Sequence, residues 1–397
     1  MISLPSGVPL SLYLHIPFCT TCCSYCAFYS EPYAAWKGFQ DAYTERLLAE
    51  IVQCTASERV YDTIFVGGGN PGSLSPDQLA RLLQAAQRNG KSREVTIEMN
   101  PETFGEHFFP LFSQGLVNRM SMGIQSMDDQ LLSRLGRNAS RSDNIKALKL
   151  AQQARKEFGI ELNFDLMVCL PGQTLEMAIN DIHEVLSISD ANHISLYCLT
   201  VEEGTELARQ VGMHTVQVLD EDGQATMLKG IWKELANLGF SHYEVSNFCK
   251  EEKYCQHNLR YWNLSSYLGL GSSAASTLEN EQAWYHYTQI QDLRQFSDSA
   301  PFSGYEKEEL SLVQSIEEYL MMALRTRWGI DKQLLQDRYS LCFETAFAKM
   351  VETLDPQWYF DTQYTFSLTE IGFLLLDEIL LRFVMQLPEP LDRHTPL

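Results

Sequence analysis

The 397-residue chain is 45% hydrophobic and 11% aromatic, too apolar for a disordered segment and long enough for one large α/β domain with a smaller companion. Its formal net charge of −21 excludes a general nucleic-acid-binding role, which draws on clustered Lys and Arg. No cationic and apolar leader opens the sequence and no apolar run is long enough to span a bilayer, so the ten cysteines are expected as thiols or metal ligands in a soluble, cytoplasmic protein.

In chain order, "SLYLHIPF" from Ser11 reads as a strand and "FQDAYTERLLAEIVQC" as an amphipathic helix. "YDTIFVGGG" is a strand ending in glycines, and "SPDQLARLLQAAQRNG" opens on a Ser-Pro helix start. "EVTIEMNP", a helix around "HFFPLFSQG", "VNRMSMGIQS" and helical patterns from Asp128 to Glu157 follow. "IELNFDLMVCLPGQ", the helix "TLEMAINDIHEVLSI" and "HISLYCLT" complete six strand-like runs, each but the last followed by helical material. Such alternation implies parallel strands with right-handed crossovers, in a partial barrel or a doubly wound sheet. After Thr200 the rhythm changes: Glu202 to Gly223 is acidic and loop-rich, "LDEDG" being a solvated turn or helix start. The run "YEVSNF" and the aromatic segment "HNLRYWNLSSYLGLG" come next. Helical patterns dominate from Glu306, with a small strand near "QYTFSLT". The expected division is 1–200, 201–300 and 301–397.

"HIPFCTTCCSYCAF" packs Cys19, Cys22, Cys23 and Cys26 into eight residues. Structural zinc usually takes two ligand pairs a dozen or more residues apart, whereas here the four overlap in one loop. Adjacent side chains such as Cys22 and Cys23 tend to diverge, so the loop supplies three ligands more easily than four. Both Cys19, Cys22, Cys26 and Cys19, Cys23, Cys26 have sensible spacing. Three thiolates on a four-iron cluster leave one iron open to a small molecule.

The second triple, Cys-x₃-Cys-x₂-Cys with Tyr25 before its last member, resembles the signature of the radical S-adenosylmethionine (SAM) enzymes. The resemblance implies an α/β, radical SAM partial (β/α)6 TIM-like barrel with a smaller, mainly helical C-terminal domain. It implies that Cys19, Cys23 and Cys26 hold a [4Fe–4S] cluster whose fourth iron chelates SAM, with Tyr25 near the cofactor and Cys22 a bystander. "FVGGGNP" looks like the family's glycine motif and brings Gly68, Gly69 and Asn70 to SAM. Tyr13, Glu98, Gln125 and Arg137 match other SAM-contacting positions, and Asp165 in "NFDLMVCLPGQT" is placed for the ribose. With "HISLYCLT", "YEVSNF", "CQHNLRYW" and "EEYLMMALRTRWGID", the match extends over nearly the whole chain to the oxygen-independent coproporphyrinogen oxidase-like family, and within it to its heme-chaperone branch. Phe28 stands where the oxidase has a further cysteine, which favours the chaperone branch. Asn70 replaces a usual threonine, and Ala139 and Ala275 stand where the family often has histidine, so no imidazole acts there.

His257 in "CQHNLRYW" is a candidate axial ligand for heme, with Tyr261 and Trp262 stacking on the macrocycle and Cys255 an alternative soft ligand. The competing expectation is packing where two domains meet, with His257 satisfied by a local hydrogen bond. His15 is expected to be structural, and Cys54, Cys169, Cys198, Cys249 and Cys342 to be small buried apolar residues. Two function classes follow. One is a chaperone that binds the cluster and SAM, holds heme and passes it to an acceptor protein. The other is an enzyme that oxidises or modifies a tetrapyrrole through a 5′-deoxyadenosyl radical. Both imply an electron donor, neither involves nucleic acid, and a homodimer fits either.

Overall fold

A computed structural model describes residues 4–5, 7–56, 58–279 and 283–387, so the outer ends of the expected first and third segments lie outside the described residues. The alternating half of the sequence folds as its periodicity requires. Strand β1 (Ser11–Ile16) leads to α1 (Gln40–Thr55), β2 (Thr63–Gly68) to α2 (Pro76–Ala86), and β3 (Glu94–Met99) to α3 (Phe109–Ser113). Then come β4 (Arg119–Gln125), α4 (Asp129–Arg134), α5 (Arg141–Phe158), β5 (Glu161–Val168), α6 (Leu175–Ile188) and β6 (His193–Cys198). Each strand pairs in parallel with the next.

On each strand one face is apolar and covered by helices. Leu12, Leu14 and Ile16 on β1, Ile64 and Val66 on β2, and Leu162, Phe164 and Leu166 on β5 are all buried in one continuous core. The alternate positions point into the barrel and are polar: Ser11, Tyr13 and His15; Thr63; Glu94, Thr96 and Glu98; Arg119 and Ser121; Asn163 and Asp165; His193 and Ser195. A lumen lined this way is unlike the apolar interior of an ordinary packed barrel, and its charged groups need partners or ligands.

The region after Thr200 holds α7 (Glu206–Gly212), α8 (Glu221–Asn237), β7 (Ser241–Glu244), β8 (Asn247–Cys249) and α9 (Gln256–Trp262). In "LDEDG", Asp220 caps α8 by accepting from the Gly223 N–H, so the acidic run is a helix start. "YEVSNF" is two short antiparallel strands with a register shift between them rather than one run. Four further strands were not expected: β9 (Tyr267–Leu270) lies in the aromatic segment, β10 (Ala275–Glu279) and β11 (Trp284–Gln289) follow it, and β12 (Tyr305–Glu309) stands where the helical region was expected to begin. They extend one twelve-stranded sheet of order β12-β11-β10-β9-β1-β2-β3-β4-β5-β6-β8-β7. Strand β9 joins β1 in parallel and the outer strands at both edges are antiparallel, so the barrel is open.

After α10 (Leu293–Asp298), from α11 (Leu312–Leu324) onward, short helices enclose a second core around Ile316, Leu320, Phe343, Phe347, Phe366 and Phe383. The expected small strand is Thr365–Leu368, the centre of a three-stranded sheet. Leu264 and Trp284 reach into this second core from the barrel side.

Candidate functional site

The cysteine loop leaves the C-terminal end of β1 and returns at a closed neck, where Phe18 and Cys19 pair in parallel with Glu31 and Pro32. His15 braces the returning segment: its Nε2 lies 3.2 Å from the Tyr29 carbonyl oxygen and its Nδ1 3.0 Å from the Tyr13 hydroxyl. Burial lowers His15 to about 4, so it is a neutral structural imidazole, as expected. Cys19, Cys23 and Cys26 are half-buried and Cys22 is exposed, all as free thiols. Arg137 points Nη1 at the Cys23 sulfur, 3.7 Å away, while Nη2 donates to the Gly123 carbonyl at 2.7 Å. Tyr25 is hydrogen-bonded to Cys23. Cys22 makes neither of these contacts among the described residues; Phe28, 78% exposed, follows the last cysteine on the surface.

Among the described residues no three His, Cys, Asp or Glu converge as they would around a single metal ion. A cubane cluster takes one thiol on each of three irons, and Cys19, Cys23 and Cys26, near enough on one loop to influence one another electrostatically, are a donor set of that kind. Burial pushes Cys19 up to about 12 and raises Cys26 as well, so cluster binding must displace protons from this loop.

The strand ends beside the loop are built for close approach. A Cβ on Gly69 would lie 3.0 Å from the Cys19 sulfur and 3.0 Å from the Phe18 carbonyl oxygen. Gly68 has φ +111°, and a Cβ there would meet the His15 ring at 2.7 Å. Its N–H points to Glu98 Oε2 at 3.3 Å. Burial, then the neighbouring Asp165, pushes Glu98 up to about 8. Asp165 is raised by burial too, against hydrogen bonds that include Asn163 Nδ2 at 2.7 Å. Gln125 ends β4 at φ +66°, a left-handed conformation costly for a non-glycine residue, where the β4–β5 register slips. Tyr13, Glu98 and Asp165 therefore lie near one another at the cluster end, with Arg137 beside Cys23, and all four retain some accessibility. These residues fit SAM: carboxylates for its hydroxyl and cationic groups, and glycines that let a ligand reach backbone. Bound there, SAM would supply reductive-cleavage chemistry at the cluster, and Tyr13, Glu98, Asp165 and the glycines would hold and orient it.

Asn70 departs from the cofactor-contact expectation. It is 1% exposed, its Oδ1 accepts from the Gly72 N–H at 3.0 Å and its Nδ2 donates to Thr103 Oγ1 at 3.1 Å. Its own N–H is held by the Phe18 carbonyl at 2.9 Å, so the residue fastens the glycine turn instead of facing a ligand. Ala139 is buried beside Arg137 in a surface hollow of about 320 Å³, and Ala275 faces a cavity of about 370 Å³ that also takes in His286.

The segment "CQHNLRYW" lies at the opposite end of the barrel. Helix α9 closes the floor, where the strands begin. Glu94, the first residue of β3, accepts the N–H groups of Gln256 at 2.9 Å and His257 at 2.8 Å. Thr63, the first residue of β2, bonds His257 Nδ1 at 2.7 Å, and the Tyr261 hydroxyl bonds Nε2 at 2.8 Å. His257 is 0% exposed and burial lowers it to about 3. Both ring nitrogens are engaged, so an iron ligand here would have to break two buried hydrogen bonds. Cys255 is equally buried, against Glu94. The geometry favours the packing expectation for this segment: its helix meets both the barrel floor and the helix Leu312–Leu324 of the C-terminal unit.

Sequence reasoning passed over the inward-facing Arg119, Ser121, Asn163, His193 and Ser195, whose period-two placement in otherwise apolar strands was the available signal. Of the scattered cysteines, Cys54, Cys169 and Cys249 are buried as expected, but Cys198 is half-buried and Cys342 exposed.

Residues 13–185 match the family model of the radical SAM superfamily, and residues 310–358 that of the HemN C-terminal domain. The heme chaperone HemW of Lactococcus lactis subsp. lactis is 31% identical over 386 residues, covering 95% of this chain and 98% of that protein. The mitochondrial radical S-adenosyl methionine domain-containing protein 1 of Mus musculus is 32% identical, covering 96% and 88%. Coproporphyrinogen III oxidase (HemN) from Escherichia coli, described as a radical SAM enzyme, shares the fold at a TM-score of 0.77 and 21% identity, over 96% of this chain and 91% of that one. With its cysteine loop, open polar barrel and helical C-terminal unit matched along almost its full length, the chain belongs to the radical SAM superfamily and, within it, to the family of the heme chaperone HemW.

Proposed function

We propose that this chain is a heme chaperone: it binds a [4Fe–4S] cluster through Cys19, Cys23 and Cys26, binds SAM through the residues around Glu98, Asp165 and Arg137, holds heme and passes it to an acceptor protein. The observation that carries this reading is the extent of the likeness to proteins named heme chaperones, which takes in the C-terminal unit as well as the barrel. The exposed Phe28, in place of a further cysteine, supports it over the oxidase reading. An electron donor reduces the cluster, the working compartment is the cytoplasm, and a homodimer is compatible with this reading.

A second reading is favoured by the lumen itself. Arg119, Glu98 and Asp165 influence one another electrostatically inside the polar lumen, a cluster of perturbed charged groups of the kind that active sites hold. One experiment separates the two. Anaerobically reconstituted protein is given reductant, SAM and either heme or coproporphyrinogen, and the masses of tetrapyrrole and nucleoside products are recorded. Unaltered bound heme with little 5′-deoxyadenosine supports the chaperone. A tetrapyrrole of changed mass, rising with 5′-deoxyadenosine, overturns it in favour of the enzyme.

A further inference from the structure

At the cluster end of the barrel, where β6 and β8 meet the last helices, lies a cavity of about 810 Å³, within the range of small-molecule sites. Its walls include Cys198, Leu199, Trp232, Arg325, Phe373 and Leu376. Three features mark it as unfinished. Trp232 is 4% exposed, yet its indole N–H has no hydrogen-bond partner among the described residues, a cost that an arriving acceptor would remove. Arg325 gives one N–H to the Met321 carbonyl at 2.8 Å, but its nearest acid is Asp377, 3.9 Å away with a side chain 94% exposed. That leaves a half-buried guanidinium loosely paired, and burial lowers its pKa. Cys198 ends β6 beside Cys169, its thiol 3.9 Å from Gln224 Oε1, a soft sulfur held only by a long contact. The adjacent Tyr197 also borders the cavity, and by strand alternation it faces the lumen, linking the two spaces.

An unspent N–H donor, a cation, aromatic walls and a soft sulfur together describe a ligand with a broad apolar body, a carboxylate and a thiophilic metal. We propose that this cavity holds the iron porphyrin, with a propionate received by Trp232 Nε1 and Arg325 and the iron facing Cys198. The inference rests on the heme-chaperone reading. It replaces the floor helix α9 as the holding site and places the cargo beside the cluster end. The rim acids Glu221, Asp377 and Glu378 disfavour a second propionate inside, so the other one points to solvent.

The test uses the full chain with its cluster reconstituted, titrated with ferric hemin and, in parallel, with metal-free protoporphyrin IX. The expected hemin complex shows the optical and spin-resonance signature of thiolate ligation. Cys198→Ser abolishes that signature and weakens hemin roughly tenfold while leaving protoporphyrin binding unchanged. Arg325→Ala weakens both ligands roughly tenfold or more. Unchanged cluster content and SAM binding in each variant establish that it has folded. The rival ligand is His242, which stacks 4.8 Å from Trp232 and whose buried ring nitrogens lack hydrogen bonds, with Glu370 at 3.8 Å. Tight hemin binding that survives both substitutions, or an imidazole signature removed by His242→Ala, overturns this site and leaves the chaperone reading standing. No hemin uptake by the wild-type chain overturns both.

Discussion

The assignment of α9 to the barrel floor makes a quantitative prediction at His257. Replacing it with alanine removes an imidazole that is 0% exposed and packs 5.2 Å from the Phe65 ring and 5.0 Å from that of Tyr261. Truncating a buried aromatic ring costs about 3–5 kcal/mol, and the imidazole, being smaller, belongs at the lower end. The Tyr261 hydroxyl loses its partner, worth roughly 1 kcal/mol more, whereas Thr63 keeps its 2.8 Å bond to Ser11 and adds little. The expected loss at pH 7.5 is therefore about 4 kcal/mol. The pH dependence supplies an independent check. His257 titrates near 3 in the folded protein against an ordinary value of 6.5, so the unfolded chain takes up a proton first as pH falls. Its stabilising contribution is complete above pH 6.5 and declines as pH drops toward 3, by about 2 kcal/mol between pH 6.5 and pH 5.0. Urea unfolding at pH 7.5 and 5.0 should thus show the wild-type advantage over His257→Ala shrinking from about 4 to about 2 kcal/mol. Hemin affinity should be retained by whatever fraction is folded. A variant that unfolds within about 1 kcal/mol of wild type at both pH values, yet loses hemin, would refute the structural role and make His257 a ligand.

Glu98 tests the opposite balance. Its folded value near 8 exceeds that of the unfolded chain, so the folded state holds an extra proton and its stability declines as pH rises from about 4.5 to 8. Glu98→Gln should raise the melting temperature of the SAM-free protein at pH 8 and weaken SAM binding; a lower melting temperature with SAM affinity intact would contradict both. Cys23→Ser should abolish the iron and sulfide content of reconstituted protein and Cys22→Ser should preserve it, because Arg137 and Tyr25 address Cys23 while Cys22 lies exposed. The reverse pattern would select the other triple. Gly69→Ala should lower cluster occupancy, since its Cβ would stand 3.0 Å from both the Cys19 sulfur and a backbone carbonyl that cannot step aside. Full occupancy would show that the glycine turn has slack.

Much of this was written in the sequence in a form that local rules can read. The six alternating units were legible because each apolar strand is bounded by polar turns and followed by a helix with the right period. The cysteine triple and the glycines were legible because their meaning lies in spacing, and a Cβ at Gly69 does meet the Cys19 sulfur. Strands β9 to β12 were hidden because their partners are not sequence neighbours alone: β9 pairs with β1, more than two hundred residues earlier, and Tyr267 aligns with Ser11. "HNLRYW" was read by its residue types, which suit a macrocycle. Its actual environment is set by Glu94 and Thr63, which only the closed sheet brings beneath it.

That last contrast decides where function should be sought. At the floor the ring nitrogens of His257, the N–H groups opening α9 and the Glu94 carboxylate all have partners, so a ligand arriving at His257 has desolvation to overcome and bonds to break, while Trp262 Nε1 and Arg260 Nε on the same helix are buried without partners among the described residues. The cluster end carries unmet costs of its own. Burial holds Glu98 partly protonated near neutrality, Gln125 is kept in a left-handed conformation, and Trp232 has an unpaired N–H nearby. Each costs the free protein stability, and each can be relieved by a bound group of suitable chemistry. The closed floor holds the strands in register, and their opposite ends can then support a site whose strain is offset by its ligands.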